Sequence, residues 1–177
     1  MRGRLKRLLL DMQRSSLFGF GTRNRLLRLL GLDVHPRARI SPDIYFGSGG
    51  KVRIGSDSFV GHGGFFDGNA PIEIAEAVRI GPYVRLLTGT HEIAPDILRN
   101  DFAVPNIRQP IRIERGCWLG MNVSVMPGIV IREGCVIGAN ALVTRSTEPN
   151  GLYLGVPARR VRDLPVGGDQ AAGSGER

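Results

Sequence analysis

The residues of this 177-residue chain whose chemistry could go beyond packing are three histidines, two cysteines and one tryptophan: His35, His62, His91, Cys117, Cys135 and Trp118. The histidines and cysteines do not stand at metal-ligand spacings, so no metal site is expected. The two cysteines, eighteen residues apart, read as small core residues and not as a disulfide. An imidazole titrates near ~6.5 and can carry a proton at neutral pH. His35 precedes a proline in an irregular segment and reads as structural. His62 stands among Gly61, Gly63 and Gly64, where a ligand could approach the backbone closely, so it is a candidate substrate contact. His91 closes the run Thr88-Gly89-Thr90-His91-Glu92 and precedes a polar, proline-containing stretch from Glu92 to Pro110 with Asp96, Arg99, Asn100, Asp101 and Pro105. A long loop inside a regular fold is usually functional or disordered. A histidine at its root would set an imidazole on a rigid wall beside a flexible flap, although a lone histidine is more often a packing residue.

The wall is written in a period of six. Ile113, Leu119, Val125, Ile131, Ile137 and Val143 are all aliphatic, with small residues following them, as in Leu119-Gly120 and Ile137-Gly138. A helix would repeat its apolar face at about 3.6 residues and an ordinary strand at 2, so neither explains the spacing. Three flat faces of six residues make a triangular coil, with one aliphatic side chain pointing inward from each face and glycine at corners that must bend tightly. The period also runs through Ile54, Val60, Phe66, Ile74, Ile80 and Leu86, with two residues added between Phe66 and Ile74. An antiparallel β protein would show hairpin signals that this run lacks.

The termini differ from this body. Residues 1–31 hold eight Lys and Arg against Asp11 alone, while the remainder is almost neutral, so most of the formal charge of +8 belongs to a basic arm. Leu5, Leu8, Leu9 and Met12 fall at helical spacing, and a second helix is expected from Thr22, as its N-cap, to a stop at Gly31. Such an arm could meet an anionic membrane surface, or its leucines could cap the open end of the coil. It lacks the features of nucleic-acid binding. Val34–Gly50 reads as an irregular first coil, and after Val143 the register resumes once through Leu152, Leu154 and Gly155. The expected organisation is an N-terminal helical arm or cap over 1–33, a β-helix over 34–164 with an excursion over 92–110, and a disordered tail over 165–177. With no cleavable signal and no run of ~20 apolar residues, a cytoplasmic protein is expected.

The ordered combination of TGTH, the excursion, CWLG, PGIVI, IGANALVT and LGVPAR resembles the hexapeptide-repeat O-acetyltransferases, the galactoside, maltose and colanic-acid type, over about Val52–Leu164. The resemblance implies an all-β, left-handed parallel β-helix assembled as a homotrimer, with active sites between subunits and acetyl-CoA as acyl donor. On that pattern His91 matches the catalytic base, and Trp118 would line the acetyl or acceptor pocket. Gly120, Met121, Ala139, Thr144 and Arg145 fall where the family contacts the pantetheine arm and adenosine end. Arg159 and Arg162 match residues that reach the nucleotide phosphates. Glu92, the nearest carboxylate in sequence, and His62 join the acceptor side as substrate contacts. Where galactoside-type enzymes have an asparagine that holds the acceptor, this chain reads Gly61-His62-Gly63-Gly64. The implied reaction is acetylation of a hydroxyl of a sugar, glycan precursor or glycosylated metabolite, without an acyl-enzyme. The alternatives are N-acetylation of an amino sugar or antibiotic, and a non-catalytic hexapeptide scaffold.

Overall fold

The computed structural model describes residues 2–47, 51–95, 97–99 and 105–167. Two helices, α1 (Arg2–Met12) and α2 (Phe20–Leu29), lead into a parallel β-solenoid of about six turns. The first turn is β1 (Asp33–Val34), β2 (Arg39–Ile40) and β3 (Tyr45–Phe46), and the second is β4 (Val52–Ile54), β5 (Phe59–Val60) and β6 (Phe65–Phe66). The third is β7 (Ile72–Ile74), β8 (Arg79–Ile80) and β9 (Arg85–Leu86). A hairpin, β10 (Gly89–His91) and β11 (Asn106–Arg108), interrupts the coil, which resumes with β12 (Ile111–Ile113), β13 (Trp118–Leu119) and β14 (Ser124–Val125). The fifth turn is β15 (Val130–Ile131), β16 (Val136–Ile137) and β17 (Leu142–Val143). The coil closes with β18 (Gly151–Leu154) and β19 (Arg159–Asp163), which folds back antiparallel on β18.

Stacking these turns makes three faces. Face A holds β1, β4, β7, β12 and β15; face B holds β2, β5, β8, β13, β16, β18 and β19; face C holds β3, β6, β9, β14 and β17. Each face lines its interior with stacked columns of side chains, such as Val34, Ile54, Ile74, Ile113 and Ile131 on face A, all almost fully buried. Burying an aliphatic side chain of this size contributes ~1.5–3 kcal/mol, and a column repeats that gain at every turn. The six-residue period is therefore the fold itself: its aliphatic positions are the inward residues, and the parallel β-helix reading is borne out.

The first turn is more regular than its sequence suggests. Val34 pairs with Ile54 and Ile54 with Ile74, each twenty residues apart, whereas Ile113 and Ile131 are eighteen apart. The early turns carry two extra residues at the corner between faces C and A, so 34–46 is true coil and not an irregular lead-in. At the other end Tyr153, and not Leu152 or Leu154, takes the inward position, paired with Ile137. Its hydroxyl has partners at Glu148, accepting from the backbone N–H at 2.8 Å, so a buried ring with a polar tip closes the column.

The second helix caps the open end. Leu27 and Leu30 are buried, and the Arg23 guanidinium lies beneath them, donating to the carbonyls of Gln13 (2.9 Å), Ile40 (2.9 Å) and Ser15 (2.7 Å). Burial lowers its pKa, and the three acceptors satisfy its donors. The helix starts at Phe20, not Thr22; Gly19 is the N-cap and makes no side-chain cap bond, so Thr22 lies inside the first turn. The expected stop holds: Gly31 takes φ 93°, the left-handed conformation that glycine adopts without cost. The other helix leaves Leu5, Leu8 and Met12 exposed. No helix among the described residues is long and apolar enough to cross a membrane. The tail expected to be disordered lies outside the described residues from 168 onward.

Candidate active site

Cys117 and Cys135 are free and buried in one column of face B, their Sγ atoms 3.0 Å from the carbonyl oxygens of Arg132 and Glu148. Burial pushes the Cys117 thiol up to about 12, which leaves it a packing residue and not a nucleophile.

His91 is placed differently. The chain leaves the coil at Gly89, three residues before the expected start of the excursion, because β10 pairs only with β11: Gly89 opposite Arg108, Thr90 opposite Ile107, His91 opposite Asn106. His91 thus stands at the outer end of a paired strand on the corner between faces C and A, exposed, and without a side-chain partner among the described residues. Glu92 is also exposed and makes no hydrogen bond to the imidazole among those residues, so the chain itself does not set the tautomer through it. Asp96 and residues 100–104 of the excursion lie outside the described residues.

What holds the hairpin was not picked out from the sequence. The Asp67 carboxylate accepts from the backbone N–H groups of Thr88 (2.9 Å) and Gly89 (3.1 Å), the first residues of the departure, and from the Thr88 hydroxyl. Thr88, fully buried, also accepts from the Ala70 N–H at 2.9 Å. Asn69 donates to the same carboxylate through its backbone N–H (3.3 Å) and side chain (3.2 Å). A Cβ at Gly89 would sit 2.8 Å from the Asn69 amide nitrogen, so a larger residue there would push the Asn69 side chain aside. Hydrogen bonds to a charged acceptor are the strong ones, and here they are aimed at the root of the segment that carries His91. The available signal was Asp67-Gly68-Asn69, a turn triplet within the lengthened step from Phe66 to Ile74, one turn below Thr88.

The corner between faces B and C collects other candidates. Gly61, Gly81, Gly120 and Gly138 stack there, and a Cβ at Gly120 would lie 2.6 Å from the backbone nitrogen of Ala139. The next residue in each turn points out of the corner, which aligns His62, Pro82, Met121 and Ala139; the Asn140 N–H donates to the Met121 carbonyl at 2.9 Å. His62 packs edge-on against Tyr83, with ring centroids 4.9 Å apart. Trp118 faces outward on face B and is 55% exposed, as Met121 is 50% on the adjacent corner.

The C-terminal arginines divide into two kinds. Arg160 is structural: it pairs with Asp163 at 2.7 Å, donates to the Tyr153 hydroxyl and to the Glu148 and Pro149 carbonyls, and its pKa is raised, chiefly by the Tyr153 bond. Arg159 touches only the neighbouring Ala158 carbonyl (3.0 Å), and Arg162 has no side-chain partner among the described residues. Trp118, Val136, Leu152 and Arg162 form one column across the sheet, so the backbone positions of Trp118 and Arg162 are about 14 Å apart at ~4.8 Å per strand. Thr144 and Arg145 lie exposed on the corner between faces C and A, above the hairpin.

Two groups of candidates are therefore separated. His62, Met121 and Ala139 share one corner, with Trp118, Arg159 and Arg162 on the face beside it. His91 and Glu92 stand on another corner, across face C. A groove of about 430 Å³ on face A, lined by Arg53, Glu73, Glu76, Arg112, Glu114, Arg115 and Glu133, holds none of them. Its charges pair among themselves, as in Arg112–Glu73 and Arg115–Glu133, each at 2.9 Å.

Residues 110–145 match the family of bacterial transferase hexapeptide repeats (six repeats). The galactoside O-acetyltransferase of Lactococcus lactis is 30% identical over 78% of this chain and 67% of its own length; that of Escherichia coli K12 is 28% identical over 80% and 68%. The chain thus spans about two thirds of these curated relatives. A hexapeptide-repeat acetyltransferase of Vibrio cholerae, solved in complex with acetyl coenzyme A, superposes with a TM-score of 0.82 at 29% identity, over 92% of this chain and 87% of that one. On these likenesses the chain belongs to the hexapeptide-repeat acetyltransferases, a family of acyltransferases.

Proposed function

We propose that this protein is an acetyl-CoA-dependent O-acetyltransferase acting on a hydroxyl of a sugar, glycan precursor or glycosylated metabolite, with His91 as general base. The observation that carries the reading is the position of His91: an exposed imidazole without a side-chain partner among the described residues, held off the coil by a hairpin whose root is tied to Asp67. An alcohol is a poor nucleophile at neutral pH, and a positioned base contributes typically ~10²- to 10⁴-fold. The hydroxyl gives its proton to the imidazole as its oxygen attacks the thioester carbonyl carbon. The tetrahedral adduct collapses with cleavage of the C–S bond, and the imidazolium returns the proton to the departing thiolate. No acyl-enzyme is needed, and both cysteines are buried.

Acetyl-CoA is a substrate here, and the surface of face B fits it. Trp118, Met121 and Ala139 offer an open, largely apolar track beside a glycine corner that permits close approach, with Arg159 and Arg162, neither in an ion pair among the described residues, at its end for phosphates. Gly120 completes the donor track, Thr144 and Arg145 reach it from the hairpin's corner on the other subunit, and Glu92 and His62 complete the acceptor side. Because His91 stands across face C from this track, the proposed site is assembled from two subunits of a homotrimer, one supplying the hairpin and the next its face B. Since the donor is a cytoplasmic metabolite, the reaction is placed in the cytoplasm.

Calorimetric titration with acetyl-CoA beside an Arg159→Glu variant tests the donor half. Binding at about one site per chain, weakened by the charge reversal, is expected; no heat at two temperatures would remove the reading. Thiol release with hydroxyl acceptors, lost in His91→Ala while acetyl-CoA binding persists, tests the base; transfer to amines alone would move the assignment to N-acetylation.

A further inference from the structure

The outward positions of the three faces carry arginines in different company. On face A, Arg53 pairs with Asp33 at 3.3 Å and Arg112 with Glu73 at 2.9 Å. On face C, Arg85 donates to Asn122 at 2.5 Å. On face B the outward ladder reads Arg39, Phe59, Arg79 and Trp118, successive partners in the sheet. Where face A sets a carboxylate between its arginines, face B sets an aromatic ring. Among the described residues neither Arg39 nor Arg79 has a side-chain partner. Both line a groove of about 500 Å³ between face B and the start of α2, closed on one side by Phe20 and containing the pair Arg37–Asp57, neutralised at 2.8 Å. The groove thus holds two arginines with no side-chain partner among the described residues, their backbone positions about 10 Å apart at ~4.8 Å per strand and so within converging reach of two long side chains, with Phe59 between them and Trp118 one strand beyond Arg79.

From this we infer that the acceptor is an anionic sugar derivative whose phosphate or carboxylate is bound by Arg39 and Arg79, with its ring against Phe59 and its reacting hydroxyl toward Trp118. The inference rests on the acetyltransferase reading and names its substrate class. A guanidinium presents a planar fork of donors that matches carboxylate and phosphate oxygens, and it is more weakly hydrated than an ammonium, so it suits a half-enclosed groove. An aromatic between two such forks offers a flat apolar surface to a sugar ring while leaving the cations unpaired. Neutral glycosides would leave both cations unmatched.

The test titrates the full-length protein, kept saturated with CoA, with the 1-phosphates of glucose, galactose and mannose, the matching uronic acids and the methyl glycosides. At least one anionic sugar is expected to bind tighter than its methyl glycoside by about tenfold or more. The preference should vanish in the double variant Arg39→Gln with Arg79→Gln and survive in part in Arg79→Lys, with CoA affinity and melting temperature unchanged. Phosphates and uronates separate the two sources of the anion. Equal binding of charged and neutral sugars, no binding of either, or a preference that survives the double variant would overturn the inference. Failure to bind CoA would instead remove the acetyltransferase reading, and the anion titration without CoA would still report on the groove.

Discussion

A site divided between two chains can be rebuilt from two inactive proteins, and the geometry sets how much activity returns. His91 lies on the corner between faces C and A, and Ala139 on the corner between faces B and C. His91→Ala removes the proposed base and should lower kcat by ~10²- to 10⁴-fold. Ala139→Trp adds bulk at an exposed position of the donor track, so it should block acetyl-CoA without disturbing the core. Each variant alone is expected to be inactive. In oligomers assembled at random from equal amounts of both, a site is intact only when the subunit giving the hairpin and the subunit giving face B each carry the right residue. Each condition holds half the time, so about a quarter of the sites should be active in a ring where every site takes one half from each neighbour. If hairpin and track of the same chain formed the site, every site would carry one lesion and nothing would return.

The assay is thiol release from acetyl-CoA in the presence of an acceptor, after co-expression of differently tagged variants and purification through both tags. Purification through both tags discards the pure oligomers, and each mixed trimer then holds about one intact site in three, so a recovered rate near a third of wild type is expected, far above the ~10⁻²–10⁻⁴ background of the parents. A mixed oligomer no more active than its parents would refute the separation of the two halves, provided tag recovery confirms that the chains have mixed.

Asp67→Ala should lower kcat by about tenfold or more while leaving acetyl-CoA affinity in place, because the lost hydrogen bonds hold the root of the hairpin and not the donor track; a variant with full kcat would remove Asp67 as a positioning residue. With its thiol raised to about 12, Cys117 should hold only ~10⁻⁴ of its population as thiolate at pH 8 and resist thiol reagents until the chain unfolds. The same shift implies a sign for stability: the contribution is complete below the unfolded pKa near 9 and declines as pH rises toward about 12, which thermal melts above pH 9 would register. The exposed Leu5, Leu8 and Met12 of α1, amid basic residues, should carry the protein onto anionic vesicles in a sedimentation assay and lose that binding in Leu8→Glu; no sedimentation of wild type would leave the helical arm as a cap alone.

The period of six was legible because one physical demand repeats: each face must bury one aliphatic residue, and nothing else in the sequence needs that spacing. Legibility failed where the spacing changed for reasons local to one corner. The step from Phe46 to Ile54 is eight residues, like that from Phe66 to Ile74, so a strict count of six made a regular first turn look irregular. Tyr153 was passed over because an inward tyrosine is acceptable only where its hydroxyl finds a partner, and the partner, Glu148, belongs to the loop before it. Thr22 has the right chemistry for an N-cap, but the cap over the coil needs Arg23, Asn24 and Leu27 on one buried face, which starts the helix earlier.

The individual site residues could be named from motifs, but their division between two corners could not, since it depends on how many residues each turn contains. Counting the extra pairs puts His62, Met121 and Ala139 in line and sends His91 elsewhere. The inward positions are fixed by packing, so chain-specific chemistry has two places to reside: insertions at corners, and outward positions on the faces. The hairpin with its Asp67 root is the first kind. The ladder of Arg39, Phe59, Arg79 and Trp118 is the second, and a six-residue period carries no trace of it, because it runs across turns twenty residues and more apart. Face A shows what such a ladder becomes when its charges are matched: arginine and carboxylate alternate and satisfy one another. Replacing the carboxylates by rings leaves Arg39 and Arg79 without a partner among the described residues, and the proposed anion of the acceptor would supply it.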